Sequence, residues 1–489
     1  MPVTGETVPI TETKMIHMME FNGIRRFPAR DLITPERFDL MAKYAYAEYL
    51  LEGRESAFAE ELYTKHIEAF SGGSFKEPGN ESKNSAEAYR KMFRELIDSI
   101  KTSGYDSRYP VPVGTHRIIG DGAHRVAASA YLEREVAAEF DANEPNYNYE
   151  FFRSMYLDER YLDYIALKYV ESSGHDVHVL CLWPAAFKDP EGVSKALQCI
   201  SESAVVFRKT VHLSYNGMKN LMIQLYESFE WIGSPEDGFK GVYGKLDPCY
   251  EKNGTIEVFV IECSDEAIRV LKERVRECFT LMNHSCHSSD TRQDALDMAR
   301  ILLNDHSIQL LNSGDLSYDR KLIRKLLTFR NAIDEAGLDR RDIIADSSSI
   351  LGVEGIRLTD DVDYISMEKT ELPGFDDHED YLKYYGMSKK ELLYHPDSYA
   401  YVFGVKIITL DVLYGFKQRR ASQKDLDDVV LIDAHRKTKK DVKKTLRAMG
   451  INAKRTLRNQ KTAVRDFLEK HHIHAFTKLW HLLVGKGFR

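Results

Sequence analysis

Short apolar runs alternate with longer amphipathic segments along most of this chain, and this alternation constrains the fold more than any other feature. Residues 177–183 (VHVLCLW) and 257–263 (EVFVIEC) are apolar runs of strand length. Residues 37–51 and 86–102 instead carry apolar side chains three or four positions apart, a spacing typical of helices. This alternation favours an α/β or α+β architecture over an all-α or all-β one.

Capping residues locate several element boundaries. Ser264 precedes acidic residues and is expected to begin a helix, and residues 291–303 are expected to form another. Residues 399–410 (YAYVFGVKIITL) read as a strand or hairpin, and we expect Asp411 to be the N-cap of the helix that follows. Residues 117–120 are predicted to form a short strand that leads into a helix at 123–132.

The bulk properties exclude several classes of protein. At 489 residues the chain exceeds what one hydrophobic core usually supports, so we expect two or three domains. No apolar run approaches the roughly 18 residues of a membrane helix. The six cysteines include no CxxC pair, which argues against a disulfide framework or a zinc ribbon. The N-terminus lacks the features of a signal peptide. We therefore expect a cytoplasmic protein.

The net charge of −8 is unevenly distributed. Residues 436–489 contain 16 Lys or Arg and 3 acidic residues, so the preceding part of the chain is strongly acidic. We expect a helical tail that either packs on this acidic body or contacts an anionic membrane surface peripherally, at the inner face of the membrane. A nucleic-acid partner is not expected, because the acidic body would repel it.

One segment, residues 346–366 (DSSSILGVEGIRLTDDVDYIS), combines small hydroxyl residues with paired carboxylates. Asp361 and Asp363 would point the same way on a strand and could bind Mg²⁺ or Mn²⁺. Ser348 and Ser349 could hold phosphate oxygens, and Arg357 is a further predicted phosphate ligand. An acidic pair alone is more often a solvated surface feature.

This wider pattern resembles the nucleotidyltransferase superfamily, whose signature is a Gly/Ser-Ser turn, a helix and D-x-D on a strand. Ser348 and Ser349 match the turn, with serine in place of the usual glycine, and Asp361 and Asp363 match the metal carboxylates. The superfamily usually supplies a third carboxylate from a neighbouring strand, which the sequence does not locate.

Residues 416–432 (FKQRRASQKDLDDVVLI) resemble a helical element of the same superfamily. The resemblance assigns a catalytic role to Lys417 and nucleotide-binding roles to Lys424 and Asp425, with Asp428 completing the pattern. From the residues alone, Lys417, Arg419 and Arg420 could neutralise triphosphate charge. A solvated charged face is the alternative interpretation of this helix.

A second constellation, residues 117–132 (RIIGDGAHRVAASAYL), places a glycine turn before a helix. The helix N-terminus with Arg125 and His124 could bind an anion, although an ordinary turn capped by Asp121 is the alternative. The D-G-x-H-R motif resembles the ParB/sulfiredoxin superfamily, which includes free-serine kinases. The resemblance gives Asp121 and His124 catalytic roles and gives Gly122 and Arg125 phosphate contacts.

Other members of that superfamily fit the sequence less well. A sulfiredoxin needs a cysteine where Ala123 stands, and a DNA-partition protein needs a basic DNA-binding domain. Phosphoryl transfer to a small hydroxyl compound is therefore the predicted enzyme activity of this domain. Its general base would be one of three carboxylates that the sequence does not distinguish: Glu36, Asp39 and Glu77.

Residues 284–304 resemble part of a polysaccharide-associated branch of the nucleotidyltransferases. His284, Cys286 and His287 are too crowded for a tetrahedral metal site without a distant fourth ligand. A loop with a helix cap, or a substrate contact, is the preferred interpretation over zinc.

Together these motifs predict three units: a ParB/sulfiredoxin-like domain (1–195), a nucleotidyltransferase-fold domain (200–435) and a basic helical tail (436–489). The predicted function is bifunctional. The first domain phosphorylates a small hydroxyl compound, and the second joins that phosphate to a nucleotide from ATP or CTP for surface-polysaccharide modification. The alternatives are a transferase with a nucleotide-sensing module and a regulatory protein that binds nucleotides without turnover.

Overall fold

The structure, a computed structural model, describes residues 23–76 and 81–436. Two sequence predictions therefore lie outside the described residues. The candidate base Glu77 is one of them. The other is the basic tail, of which only Arg436 is described.

The N-terminal region contains a three-stranded sheet in the order β1-β3-β2, with β1 antiparallel and β2 parallel to β3. Its strands are β1 (Arg25–Pro28), β2 (Val111–Val113) and β3 (Glu135–Phe140). Its helices are α1 (Asp39–Leu50), α2 (Phe58–Phe70), α3 (Ala86–Ser103), α4 (Ala123–Tyr131), α5 (Tyr149–Ser154) and α6 (Glu159–Ser172).

The amphipathic pattern of residues 86–102 is confirmed as α3, but the strand expected at residues 117–120 is wrong. In α3, Ser85 caps the helix and the buried side chains fall three or four apart. At 117–120 the chain turns back, with Arg117 at φ +62°, and only Ile119 bridges to Val113. One paired residue in a tight turn does not extend into a strand.

The middle region contains a four-stranded antiparallel sheet in the order β5-β6-β4-β7. Its strands are β4 (Val177–Leu182), β5 (Ala204–His212), β6 (Thr255–Glu262) and β7 (Cys286–Ser288). Its helices are α7 (Pro190–Ser201), α8 (Tyr215–Tyr226), α9 (Val242–Cys249), α10 (Asp265–Glu277), α11 (Arg292–Leu302) and α12 (Asp305–Ser313).

The two apolar runs of the sequence are confirmed as strands β4 and β6, which pair with each other. Ser264 caps α10 as expected, and Thr291 begins α11 with a capping box. Strand β4 precedes the predicted domain boundary at residues 195–200, and its partner β6 follows it. The sheet therefore crosses that boundary.

The C-terminal region contains a five-stranded mixed sheet in the order β10-β9-β8-β12-β11. Its strands are β8 (Ile343–Asp346), β9 (Asp363–Ser366), β10 (Asp376–Asp377), β11 (Tyr399–Val402) and β12 (Val405–Ile408). Its helices are α13 (Arg320–Glu335), α14 (Ser349–Val353), α15 (Lys389–Tyr394), α16 (Leu410–Arg420) and α17 (Gln423–Arg436).

Strands β11 and β12 confirm the hairpin expected from residues 399–410. The N-cap prediction is wrong, because Thr409 caps α16 and Asp411 lies inside its first turn. A threonine hydroxyl reaches the same N–H groups as a carboxylate, and the strand ends one residue before Thr409.

A single hydrophobic cluster joins the three regions, with Val136 of β3, Val179 of β4 and Ile344 of β8 among its buried members. The three sheets and the helices between them confirm the mixed α/β class. Among the described residues, no helix is long and apolar enough to cross a membrane.

Candidate functional site

Residues 347–349, which we call the serine turn, join the buried strand β8 to helix α14. Ser347 adopts the left-handed backbone conformation, with φ +60°, so the chain reverses immediately after Asp346. Ser349 is fully buried, and its hydroxyl donates to the backbone oxygen of Asp361 at 3.3 Å. The turn is thereby tied to the segment that carries the predicted metal carboxylates.

The two predicted metal carboxylates occupy different settings. Asp363 begins β9 and lies opposite Asp346 of β8 in the antiparallel register. Asp361 precedes the strand, so the expected shared strand face is wrong for this residue. Its side chain is 74% exposed and lies 3.3 Å from the ammonium of Lys325. Both residues nevertheless lie beside the serine turn, Asp361 through its backbone oxygen and Asp363 through its pairing with Asp346.

His378 bridges two of the carboxylates beside the turn. Its Nδ1 lies 3.0 Å from Asp346, and its Nε2 lies 3.5 Å from Asp363. Burial lowers the pKa of His378, but the hydrogen bond and charge of Asp346 outweigh it and the net pKa is raised. Tyr385 also donates to Asp346, which is fully buried.

Negative charge accumulates around Asp363. Asp376 of β10 is its register partner on the side away from Asp346. Burial raises the pKa of Asp363, His378 opposes this, and the charges of Asp346, Asp361 and Asp376 raise it further. Within the described ranges, no three His, Cys, Asp or Glu side chains are grouped so that they could bind a metal ion as they stand.

Arg357 connects the serine turn to helix α17. Its guanidinium donates to the hydroxyl of Ser348 at 2.8 Å and forms a bidentate pair with Asp428 at 2.7 and 3.0 Å. Both charged residues are buried or nearly so. The structure thus places Arg357 beside the turn, where the sequence predicted a phosphate ligand, and fixes its orientation through Asp428.

Lys417 lies in a buried network of charges. Its ammonium is 3.1 Å from Asp425 and 3.0 Å from Asp428, and all three side chains are fully buried. Arg420 and Ser422 also bind Asp425, and despite its burial these contacts hold its pKa low. The solvated-face interpretation is wrong for these residues. Lys417 organises the helices rather than extending into solvent.

Lys424, the other predicted lysine of this helical element, is exposed on α17, whereas Lys417 is buried. Arg420 lies with its guanidinium 5.5 Å from the ring of Tyr381, whose ring is in turn 4.7 Å from that of His378. Arg420 therefore extends the cationic side of the site toward the carboxylates.

Sequence reasoning missed Asp346 and His378. Asp346 directly precedes the serines, so its position at the end of a buried strand was a usable signal. His378 lies in the run DDHED, which reads as an ordinary acidic loop. Only the pairing of β9 with β8 and β10 brings this histidine to the carboxylates.

The second constellation, residues 121–125 or the DGAHR turn, places His124 in a hydrophobic environment. The ring packs edge-on against Phe93 with centroids 4.9 Å apart, and its Nε2 lies 3.0 Å from the hydroxyl of Tyr63. Burial holds the pKa of His124 well below its usual value, with the charge of Lys43 contributing. The imidazole is therefore neutral near pH 7.

Arg125 and Asp121 are also positioned by local contacts. The Arg125 guanidinium donates to the backbone oxygens of Tyr109 and Pro110. It lies 3.6 Å from Asp121, whose side chain is 78% exposed. Gly122 has φ +82° and contributes no side-chain cap to α4, so the first N–H groups of that helix are not capped by a side chain.

The candidate bases are not equivalent. Asp39 is buried, and its carboxylate forms ion pairs with Arg37 at 3.0 Å and Lys43 at 2.6 Å. Burial raises its pKa, but these two cations outweigh burial and hold the pKa well below the usual range. Asp39 is therefore a poor proton acceptor. Glu36 is half-buried.

The histidines near β7 are separated from one another. Cys286 is buried on the strand, whereas the ring of His287 stacks on Trp183 with centroids 5.9 Å apart. His284 lies 3.6 Å from the sulfur of Cys249. The hydroxyl of Ser289 forms a hydrogen bond with His178 at 3.0 Å, and Thr291 caps the helix that follows.

Comparisons with known proteins do not identify a family for this chain. No family model matches the chain, and comparison with curated proteins and with solved structures gave no match either. Any functional assignment therefore depends on the arrangement of the side chains.

Proposed function

We propose that the serine turn and the Asp361/Asp363 pair catalyse metal-dependent nucleotidyl transfer from a nucleoside triphosphate to a phosphorylated acceptor. The register between β8 and β9 carries this proposal, because it sets Asp363 opposite Asp346 and beside the turn. The hydroxyl of Ser349 supports it by joining the turn to the Asp361 backbone. A phosphate cradle and carboxylates for a cation are thus adjacent.

Magnesium or manganese fits the donor atoms of this cluster. Mg²⁺ prefers carboxylate oxygens and keeps several waters, so one or two protein carboxylates suffice. Burial, and then the charges of neighbouring carboxylates, raise the pKa of Asp363, and a divalent cation would offset those charges. Asp361 and Asp363 would hold it. The bound ion would neutralise the triphosphate and orient its α-phosphate.

The reaction needs little proton transfer from the protein. A phosphate oxygen of the acceptor is already anionic at neutral pH and forms a bond to the α-phosphorus. The bond from that phosphorus to the β-bridging oxygen breaks, and pyrophosphate leaves. The backbone N–H groups of Ser348 and Ser349 and the guanidinium of Arg420 would hold phosphate oxygens, while Arg357 fixes the Ser348 hydroxyl.

Pyrophosphate release tests this assignment. ATP and CTP would each be incubated with Mg²⁺ and a panel of sugar and amino-alcohol phosphates, with products followed by phosphorus NMR. We expect Asp363→Asn to lower the rate by at least about 100-fold, because losing a metal ligand removes several kcal/mol of transition-state stabilisation.

Asp360→Asn is the matched control for this experiment. Asp360 directly precedes Asp361 in the sequence, its side chain is 61% exposed, and it pairs with Lys321 at 3.0 Å. It should retain activity, and both variants should keep the wild-type melting temperature. Full activity of Asp363→Asn and Asp361→Asn would contradict the assignment. Nucleotide binding without turnover in the wild type would favour the regulatory alternative.

A second step, phosphorylation of a small hydroxyl compound at the DGAHR turn, completes the proposed function. One observation favours it: the N-terminus of α4 has no side-chain cap, so its N–H groups can donate hydrogen bonds to a phosphate. The product would be the acceptor for nucleotidyl transfer. The resemblance of residues 284–304 to a polysaccharide-associated branch suggests that the final product is a donor for surface-polysaccharide modification.

The His124→Phe variant tests the phosphorylation step. A phenyl ring preserves the packing against Phe93 but removes the imidazole. We expect loss of phosphoryl transfer from ATP to the hydroxyl substrate, with unchanged nucleotidyl transfer to a supplied phosphate. Wild-type phosphorylation by this variant would remove His124 from the mechanism. Loss of both activities in a folded protein would contradict two separate sites.

A further inference from the structure

A cavity of about 710 Å³ lies between strand β7, helices α8, α10 and α11, and the β11–β12 turn. Phe403 and Gly404 of that turn line it and directly precede β12. Since β12 runs parallel to β8, this turn lies at the opposite end of the sheet from Asp346 and the serine turn. The cavity is therefore separate from the proposed transfer site, and its volume suits a small ligand.

One side of the cavity is aromatic. The ring of Tyr226 lies 5.2 Å from that of Trp231, 6.0 Å from that of Phe229 and 5.1 Å from that of His287. Phe229 and Trp231 are 49% and 46% exposed although both are large and apolar. Exposed aromatic side chains grouped at the rim of a cavity offer a surface on which a planar ring can stack.

The other side of the cavity carries three cations, Lys245, Lys272 and Arg276. Four carboxylates also line the cavity, and one of them, Glu227, pairs with Arg330 at 2.6 Å. Burial, and then the charge of Lys272, lower the pKa of the neighbouring His287 to about 3, with Lys245 and Arg276 also contributing. His287 is therefore a neutral ring between the aromatic and cationic sides.

These cations are not equally matched by carboxylates of the cavity wall. Lys272 pairs with Asp290 at 3.0 Å. Lys245 instead donates to the backbone oxygen of Asn283. Arg276 reaches Glu273 through Nη1 at 2.6 Å, and Glu273 does not line the cavity.

We propose that this cavity binds a nucleoside monophosphate, with its base against Tyr226 and Trp231 and its phosphate on Arg276 and Lys245. The aromatic surface selects a planar ring, and the cations select an anion. The proposal does not depend on the nucleotidyl-transfer assignment, because the two sites share no residue.

Isothermal titration with AMP, CMP, GMP and UMP in EDTA tests the proposal on the full chain. EDTA removes metal-dependent binding at the transfer site. We expect one site for at least one of these ligands. Arg276→Ala should weaken it about tenfold or more, since a charge-assisted hydrogen bond is lost. Trp231→Leu should weaken binding of the nucleotide but not of ribose 5-phosphate.

Arg274→Ala is the matched control, because Arg274 lies on the same helix but pairs with Glu202 outside the cavity. It and Asp363→Asn should bind like the wild type, and all variants should keep the wild-type melting temperature. Absence of binding, equal binding by Arg276→Ala, or loss of binding in Asp363→Asn would overturn the proposal. Inorganic phosphate binding as tightly as the nucleotides would overturn the assignment of a nucleoside.

Discussion

The serine turn and the DGAHR turn share a local backbone conformation, yet their side chains lie in different surroundings. In each, a residue with left-handed backbone, Ser347 at φ +60° or Gly122 at φ +82°, precedes a helix. At the serine turn, Asp361 remains 74% exposed. At the DGAHR turn, His124 packs among aromatic rings and Arg125 binds backbone oxygens.

The difference shows that a motif sets which side chains follow one another along the chain, while residues from neighbouring elements decide their burial and their charge partners. Beside the serine turn, strands β9 and β10 bring further carboxylates toward Asp363. Beside the DGAHR turn, helices α2 and α3 contribute Tyr63 and Phe93, which surround the histidine. The first region therefore depends on buried charge and the second on aromatic packing.

The largest expected effect sharpens this comparison at the buried charges. Lys417→Met should lower the free energy of unfolding by about 3–5 kcal/mol, because Asp425 and Asp428 would lose a buried partner. Urea unfolding measures it. Lys424→Met, on the exposed side of α17, should change stability by no more than about 0.5 kcal/mol. Equal small effects would mean that the region does not depend on buried charge.

The next effect concerns the aromatic packing around the DGAHR turn. His124→Ala should destabilise the protein by about 2–3 kcal/mol, because it leaves a cavity beside Phe93 and Tyr63. His124→Phe should cost about 1 kcal/mol, since only the hydrogen bond to Tyr63 is lost. Thermal unfolding of both variants measures the difference. Similar losses would show that the hydrogen bond, and not the packing, holds the ring.

A further expected effect is a pH dependence of stability with opposite signs in the two regions. Burial lowers the pKa of His124 and His66 in the folded state. Below about pH 6.5 these histidines bind protons in the unfolded chain but not in the folded protein. The free energy of unfolding therefore falls by about 1.4 kcal/mol per pH unit for each histidine. The pKa of His378 is raised, so its contribution is present below about pH 6.5 and is lost as pH rises.

Thermal unfolding from pH 5 to 8 checks these signs. His124→Phe should reduce the loss of stability at acid pH, and His378→Gln should reduce the loss at higher pH. Asp31→Asn, which removes an exposed carboxylate 4.0 Å from Arg117, should leave both slopes unchanged and serves as the control. Identical profiles for the wild type and both histidine variants would contradict the assignment of opposite signs.

Local sequence predicted much of the fold. The strands β4 and β6, the hairpin of β11 and β12, and the cap at Ser264 all follow from patterns spanning a few residues. Prediction failed at two element boundaries. Thr409 rather than Asp411 caps α16, and residues 117–120 form a turn because Arg117 adopts a left-handed conformation.

For the candidate site, the sequence by itself determined which residue types stand near one another along the chain: the serines at 348 and 349, the carboxylates at 361 and 363, and the charged run around Lys417. Tertiary structure alone decided which of them face solvent and which are buried in pairs. The pairing of β8, β9 and β10 brought Asp346, Asp376 and His378 to Asp363. The physical reason is that burial and charge pairing depend on contacts between residues far apart in sequence, which no local pattern records.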